Sequence, residues 1–275
     1  MCVKGIPINS YLKEGDVKVH QIFTQSHLRN FSYIIEGNQG HCYIIDPFDG
    51  KQCLDFVDKL GGIVRAVINT HEHHDHTQGN AIIAKKTACS FYAHPNAKKK
   101  VKEANSFLNH GDEIIIDSTS KLSVLDTPGH TFAHLCFVLI ENMKAHAIFT
   151  GDTLFNAGIG HCRLGGNIDT YFETMEKQFK KLSGDLIVYP GHEYLENNLR
   201  FTLDVEPGNK AAEQLLEFSE KLDWSQQKYQ TTMQIEREIN SFLRLDNNEM
   251  KKKINLESST AKEVFIRLRG LRNNW

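Results

Sequence analysis

The sequence predicts an α/β protein of layered sheets and helices, followed by a helical C-terminal domain. Three observations carry this. Up to about residue 192, short runs rich in β-branched and aromatic residues alternate with amphipathic stretches. Hairpin patterns lie on both sides of the strand–helix units, which calls for sheets covered by helices. Beyond residue 192 only helical patterns follow. The expected division is therefore 1–192 and 193–275, with no internal repeat or low-complexity linker.

The elements follow in order. Residues 1–16 carry little hydrophobic pattern and read as an N-terminal extension. Val17-Lys18-Val19-His20 alternates and begins a strand. Residues 31–36 and 41–45 are further strands, joined as a hairpin by Gly37-Asn38-Gln39-Gly40. Residues 50–60 read as a helix, with Leu54, Val57 and Leu60 on one face and Gly61-Gly62 as its stop. Ile63-Val64-Arg65-Ala66-Val67-Ile68-Asn69 reads as a buried strand, and residues 77–84 as the next helix. Residues 88–93 form a short strand, and Lys98-Lys99-Lys100 a solvated helix face. Strands are expected at 113–116, 121–126, 135–140, 145–150 and 186–189, with an amphipathic helix over 169–182. Residues 193–203, 211–222, 234–242 and 260–273 read as helices. Capping-box spacings stand at Thr231-x-x-Gln234 and Thr260-x-x-Glu263.

Composition narrows the function classes. A net charge of -2 over 275 residues gives no bulk attraction for nucleic acid or membrane surfaces. No apolar run approaches membrane-spanning length, and the first residues lack the apolar core of a signal peptide. The cysteines, Cys2, Cys42, Cys53, Cys89, Cys136 and Cys162, form no C-x-x-C pair and read as thiols in a reducing cytoplasm.

One stretch stands apart. Thr70-His71-Glu72-His73-His74-Asp75-His76 packs four imidazoles and two carboxylates onto a strand-to-helix turn, where α/β proteins place chemistry. Imidazole and carboxylate suit zinc or iron. Three later strand ends repeat the design: Thr127-Pro128-Gly129-His130-Thr131, Gly151-Asp152-Thr153 and Pro190-Gly191-His192. Singly, each is an ordinary turn. Together they offer His71, His73, Asp75, His76, His130, Asp152 and His192. Seven ligands exceed what one tetrahedral ion needs and fit two metals sharing a carboxylate.

These motifs, with Gly151-Asp152-Thr153-Leu154-Phe155 and Gly191-His192-Glu193-Tyr194, resemble those of the metallo-β-lactamase superfamily. Within it the chain is similar to glyoxalase II, the hydroxyacylglutathione hydrolases, from about residue 17 to the C-terminus. That similarity includes Asn197-Asn198-Leu199-Arg200-Phe201, Glu206-Pro207-Gly208-Asn209 and Asn240-x-Phe242-Leu243-Arg244.

The resemblance implies a four-layer αββα sandwich, with 1–192 as the catalytic domain and 193–275 as a helical substrate-binding domain. It assigns His71, His73 and His130 to a first metal, Asp75, His76 and His192 to a second, and Asp152 to both. The ions would be two divalent transition metals, zinc first, with iron or manganese as alternatives. Glu72 and His74 receive no ligand role. His134 is either support for the site or a structural histidine. Tyr194, Arg269 and Arg272 match substrate-binding positions, the two arginines alternatively forming a solvated basic face. His161 and Arg163 stand where the family carries a basic residue and an aromatic one, so the thiol carrier is the feature this loop leaves open.

The implied reaction is hydrolysis of S-D-lactoylglutathione to D-lactate and glutathione by a metal-bridging hydroxide, which Asp75 orients. The expected partner is a small glutathione-linked thioester, bound by a cytoplasmic monomer without nucleic acid or membrane. Alternatives are a mononuclear iron persulfide dioxygenase of the same superfamily, and a metal-dependent hydrolase of another ester, a lactone or a phosphodiester. A binding module without activity would be expected to have lost ligands, and the motif positions here are all filled.

Overall fold

The computed structural model describes residues 17–222 and 229–275; the expected N-terminal extension, 1–16, lies outside them. The first sheet contains β1 (Lys18–Phe23), β2 (Phe31–Glu36), β3 (His41–Ile45), β4 (Ile63–Ile68), β5 (Ser90–Ala93) and β6 (Ser106–Phe107), in that spatial order. Its first three strands are antiparallel neighbours, and β3 to β6 run parallel. The second sheet contains β7 (Glu113–Ile115), β8 (Ser120–Asp126), β9 (Leu135–Glu141), β10 (Lys144–Gly151), β11 (Ile187–Pro190) and β12 (Thr231–Thr232), again adjacent in sequence order.

Period-2 alternation decides how the layers stack. Tyr33, Ile35, Tyr43, Ile45 and Ile68 point inward from the first sheet and meet Leu122, Val124, Phe137, Leu139 and Phe149 of the second. The intervening residues point outward. Ile34, Ile44 and Val67 pack on Cys53 and Val57 of α1 (Gly50–Lys59) and on Ile83 of α3 (Asn80–Ala84). On the other side, Val138, Ile148 and Val188 pack with Tyr171 and Met175 of α4 (Ile168–Lys177) and with Val264, Phe265 and Leu268 of α9 (Ala261–Arg272). The result is the αββα sandwich with helices over both outer faces.

Several local expectations are corrected. The helix expected over 77–84 is two short pieces, α2 (His74–Thr77) and α3, because the chain turns at Gly79, whose N–H donates to the Pro47 carbonyl at 2.8 Å. Residues 98–100 follow a 3₁₀ turn and are not helical. The C-terminal region, read as strand-free, contributes β12, which pairs antiparallel with β11; two residues are too short to show a period. The cap expected at Thr231 is supplied by Thr232, whose hydroxyl accepts the Ile235 N–H of α7 (Met233–Ile239). The remaining helices are α5 (Leu195–Val205), α6 (Lys210–Ser219) and α8 (Asn248–Lys253). The last of these was not foreseen, since only Met250 of its six residues is buried. The capping box of Thr260 and Glu263 is formed as expected.

One buried carboxyl joins the C-terminal helices to the sheet edge. Glu236 of α7 is fully buried and accepts from the Thr231 hydroxyl (2.6 Å), the Ala157 N–H (2.9 Å) and the Asn240 amide (3.0 Å). Burial outweighs these donors and pushes its carboxyl up to about 7. The folded state therefore favours the protonated form. Its stabilising contribution is complete below the unfolded value near 4.5 and is lost as pH rises towards 7, about 3 kcal/mol in all. Glu236→Gln should flatten this limb, so that melting temperatures at pH 5 and pH 8 differ less than in the parent. An unchanged difference would show that Glu236 stays ionised when folded.

Candidate metal centre

Four strand ends meet at one edge of the sandwich. β4 leads through Asn69 and Thr70 to His71; the Asn69 amide donates to the His76 carbonyl at 2.9 Å and closes the His71–His76 turn. β10 ends in Gly151, at φ +45°, followed by Asp152. A Cβ at Gly151 would lie 2.6 Å from Thr70 Oγ1 and 2.8 Å from His134 Nε2. At Gly191, after β11, it would lie 2.5 Å from Asp152 Oδ1. The glycines of both motifs are thus set by close packing around the ligand-type side chains.

His71 Nε2 and His130 Nε2 each lie 3.0 Å from His73 Nδ1. His76 Nε2 and His192 Nε2 lie 3.2 Å apart, each 3.4 Å from Asp75 Oδ2. Asp152 stands between the two groups. Its Oδ1 is 3.3 Å from both His76 Nε2 and His192 Nε2, and its Oδ2 is 3.4 Å from His130 Nε2. All seven residues singled out in the sequence are therefore brought together. Glu72 and His74 face elsewhere: Glu72 pairs with Lys100 (3.1 Å) and the Thr131 hydroxyl (2.8 Å), and His74 is exposed. Lys100 is thus an ion-pair partner of the motif, where a solvated charge had been expected.

The outward nitrogens decide whether cations fit. His130 Nδ1 donates to the His161 carbonyl (2.5 Å), His73 Nε2 to the Leu164 carbonyl (2.9 Å), His192 Nδ1 to the Leu28 carbonyl (2.8 Å), and His76 Nδ1 to Asp46 Oδ2 (2.9 Å). A neutral imidazole has one N–H, so the inward nitrogens of His73, His130 and His192 carry lone pairs. At His76 burial is outweighed by the facing Asp152 and Asp46, which raise its pKa well above the ordinary value, so that a proton takes the cation's place there. Lone pairs facing at 3.0–3.2 Å repel unless a cation or proton lies between them. Burial lowers the His71 pKa well below the ordinary value and takes His130 down to about 4, keeping both rings neutral, as ligands must be. Burial opposes ionisation of Asp152, but the facing His192, His76 and His130 outweigh it and hold the carboxyl well below its usual range. Asp152 Oδ1 is buried with no hydrogen-bond donor. The donor set fits two divalent cations flanking one carboxylate.

Three further residues support the site. Asp46, 3% exposed, accepts from the Thr70 N–H (2.7 Å), the Thr70 hydroxyl (2.6 Å) and His76 Nδ1. Asn30 reaches Asp75. His134, for which support was one of two readings, accepts the Asp152 N–H at 3.1 Å and stacks on His71. Asp46-Pro47 does carry the strand-end pattern of the other loops and could have been read that way.

Beside the centre lies a cavity of about 420 Å³ whose lining includes Tyr194, His161, Arg163, Arg269 and Arg272. Tyr194 stacks on His192 with ring centroids 5.0 Å apart. The two arginines are not a solvated basic face. Arg269 is 6% exposed, and its Nη1 donates to the Ile159 (2.8 Å) and Gly160 (3.2 Å) carbonyls. Arg272 is half-buried, donates to Asn198 Oδ1 (3.2 Å) and lies over Phe201 and Trp275. Arg163 is exposed.

Comparison with known proteins agrees with this architecture. Residues 28–192 match the family described as the metallo-beta-lactamase superfamily, which is the class that the facing sheets and the His/Asp edge define. Residues 193–275 match the hydroxyacylglutathione hydrolase C-terminus. The hydroxyacylglutathione hydrolase of Nitrosococcus oceani is 40% identical over 264 residues, covering 94% of this chain and 99% of that protein. That of a Polaromonas species is 39% identical, with the same coverage of 94% and 99%. The crystal structure of ETHE1 from Myxococcus xanthus shares the fold, with a TM-score of 0.64 at 22% identity over 93% of this chain and 98% of that one. The chain belongs to the hydroxyacylglutathione hydrolase family.

Proposed function

We propose that this protein is a metal-dependent thioester hydrolase that cleaves S-D-lactoylglutathione, or a close 2-hydroxyacylglutathione, to the hydroxy acid and glutathione. The supporting observation is the pair of lone-pair clusters sharing Asp152, set against a cavity lined by Tyr194, His161 and three arginines. His71, His73 and His130 would hold one ion and Asp75, His76 and His192 the other, with Asp152 available to both. When bound, two divalent ions, zinc in the first instance, supply Lewis acidity and an acidified water. The remaining work falls to the side chains. Asp75 accepts a hydrogen bond from the attacking water and orients it toward the thioester carbon. Tyr194 and Phe155, both packed on His192, shield the reacting carbonyl from bulk solvent. Arg272 and the exposed Arg163 bind the carrier's carboxylates, while Arg269 holds the backbone beside them. A thiolate leaves with a pKa of about 8.5, so no strong general acid is needed.

In this reading residues 1–192 carry the chemistry and 193–275 complete the carrier site. The protein acts as a cytoplasmic monomer on a small molecule, without nucleic acid or membrane. Among the described residues no helix is long and apolar enough to cross a membrane.

The test is steady-state hydrolysis of a panel of acyl thioesters by the metal-loaded protein, with oxygen uptake followed in parallel and metal content measured. We expect turnover of glutathione thioesters, no oxygen uptake and close to two ions per chain. Oxygen consumption by a form holding one iron ion would replace the hydrolase reading with the dioxygenase one. The two arginines should then separate. Arg272→Ala should raise KM for the glutathione substrate by about 5- to 100-fold, the loss of one charged contact, and leave a small thioester unaffected. Arg269→Ala should impair both substrates and lower the melting temperature, because its guanidinium holds backbone beside the metal site. Equal effects of the two variants would remove Arg272 from the carrier site.

A further inference from the structure

The β1–β2 loop, residues 24–30, touches the metal centre on one side only. Asn30 is 1% exposed, and its Nδ2 donates to Asp75 Oδ2 at 2.9 Å and to the Asp75 carbonyl at 3.3 Å. Ser26 fixes that orientation. Its Oγ accepts the Asn30 N–H (3.0 Å), so its own proton goes to Asn30 Oδ1 (2.8 Å), and the amide nitrogen must face Asp75. Two residues earlier, the Leu28 carbonyl takes the proton of His192 Nδ1. Between them Arg29 lies at φ +57°, a conformation that non-glycine residues hold only when their surroundings enforce it. The enforcing contacts are visible. The Arg29 guanidinium pairs with the buried Glu193 carboxylate, and the Arg29 carbonyl accepts the Glu193 N–H at 2.9 Å. The next residue but one, Phe31, donates to the Gly191 carbonyl at 2.8 Å. The loop is thus stapled to both neighbours of His192. The outward contacts of His71, His73 and His130 go instead to Thr70, Leu164 and His161.

We propose that this loop is the positioning element for Asp75 and His192, two of the three residues of the second group, His76 being held by Asp46. Asn30 selects the Asp75 oxygen that faces the two imidazoles, and Leu28 sets the His192 tautomer. The Arg29–Glu193 pair holds both in place. The inference rests on the metal-dependent reading of the site but not on the identity of the substrate. Its consequence is asymmetry: damage to the loop should weaken one ion and spare the other.

The experiment measures zinc binding directly, by competition of the metal-free protein with a chromophoric chelator. In a His130→Ala background only the Asp75 group is complete; in a His192→Ala background only the His71 group is. Asn30→Leu, of similar size but without the donor, should weaken zinc about 10- to 100-fold in the first background and leave it within about threefold in the second. Arg29→Gln should show the same asymmetry more weakly. Ser26→Ala, which leaves Asn30 in place but frees its amide, stands in if Asn30→Leu does not fold. Equal weakening in both backgrounds would make the loop a general structural element and overturn the proposal, as would unchanged affinity in both. A protein that shows the asymmetry yet hydrolyses no thioester would defeat the functional reading and leave this one standing.

Discussion

Asp152→Ala is expected to strip the protein of most of its bound metal and to lower turnover by well over a hundredfold, while His74→Ala changes neither. Replacing a mere outer partner of a metal ligand already costs about 10- to 100-fold. Asp152 faces three imidazole nitrogens at 3.3–3.4 Å, and its loss would leave two cations to repel each other across a gap. His74 sits in the same motif but is exposed. Elemental analysis and steady-state rates of the two variants, side by side, test the ligand register of the whole turn. Similar losses in both would mean that the register is misassigned.

Asp46→Ala should produce the largest fall in stability. Its carboxylate is the acceptor for three buried donors, at 2.6–2.9 Å. Leaving such donors unpaired costs about 1–3 kcal/mol each, partly offset by relaxation, so a loss of about 3–5 kcal/mol is expected. For a chain of this size that corresponds to a melting temperature lower by roughly 6–20 °C. Asp46→Asn separates stability from chemistry. Asparagine tolerates the φ of +48° at this position and keeps the bond to the Thr70 N–H. Its NH₂ would face His76 Nδ1, however, and so drive the proton to Nε2. That variant should melt close to the parent and yet hold less metal. Normal metal content in Asp46→Asn would show that the tautomer of His76 is set elsewhere.

These two residues also mark where the sequence stops being informative. Asp152 could be found because a strand run, a glycine and a carboxylate recur in the pattern of the histidine motifs. The layered fold could be found because β2, β3 and β9 are near-continuous apolar runs, the pattern of strands covered on both faces. Asn30 carries no such signature, and Asp46 only the strand end before Pro47. Each matters through hydrogen bonds to residues far along the chain, and the pairing of β2 with β3 and of β3 with β4 brings those residues together. The same holds for Arg269. Its spacing from Arg272 suggested a shared face, but the burial that separates their roles depends on α9 lying against Ile159 and Gly160. The break between α2 and α3 is likewise tertiary, since the Gly79 bond to Pro47 spans two loops.

The outer face of the second sheet has a further consequence. Val138, Ile148 and Val188 share one apolar cluster with Phe201, Phe242, Val264, Phe265 and Leu268, all from beyond residue 192. The helical region is therefore a wall of the sandwich and not a detachable cassette. Cutting the chain at the junction would bare the face of the sheet that carries the Asp152 strand. A chimera that borrows its carrier specificity from a relative would have to import α4 together with the terminal helices, so that donor and recipient surfaces interdigitate from the start.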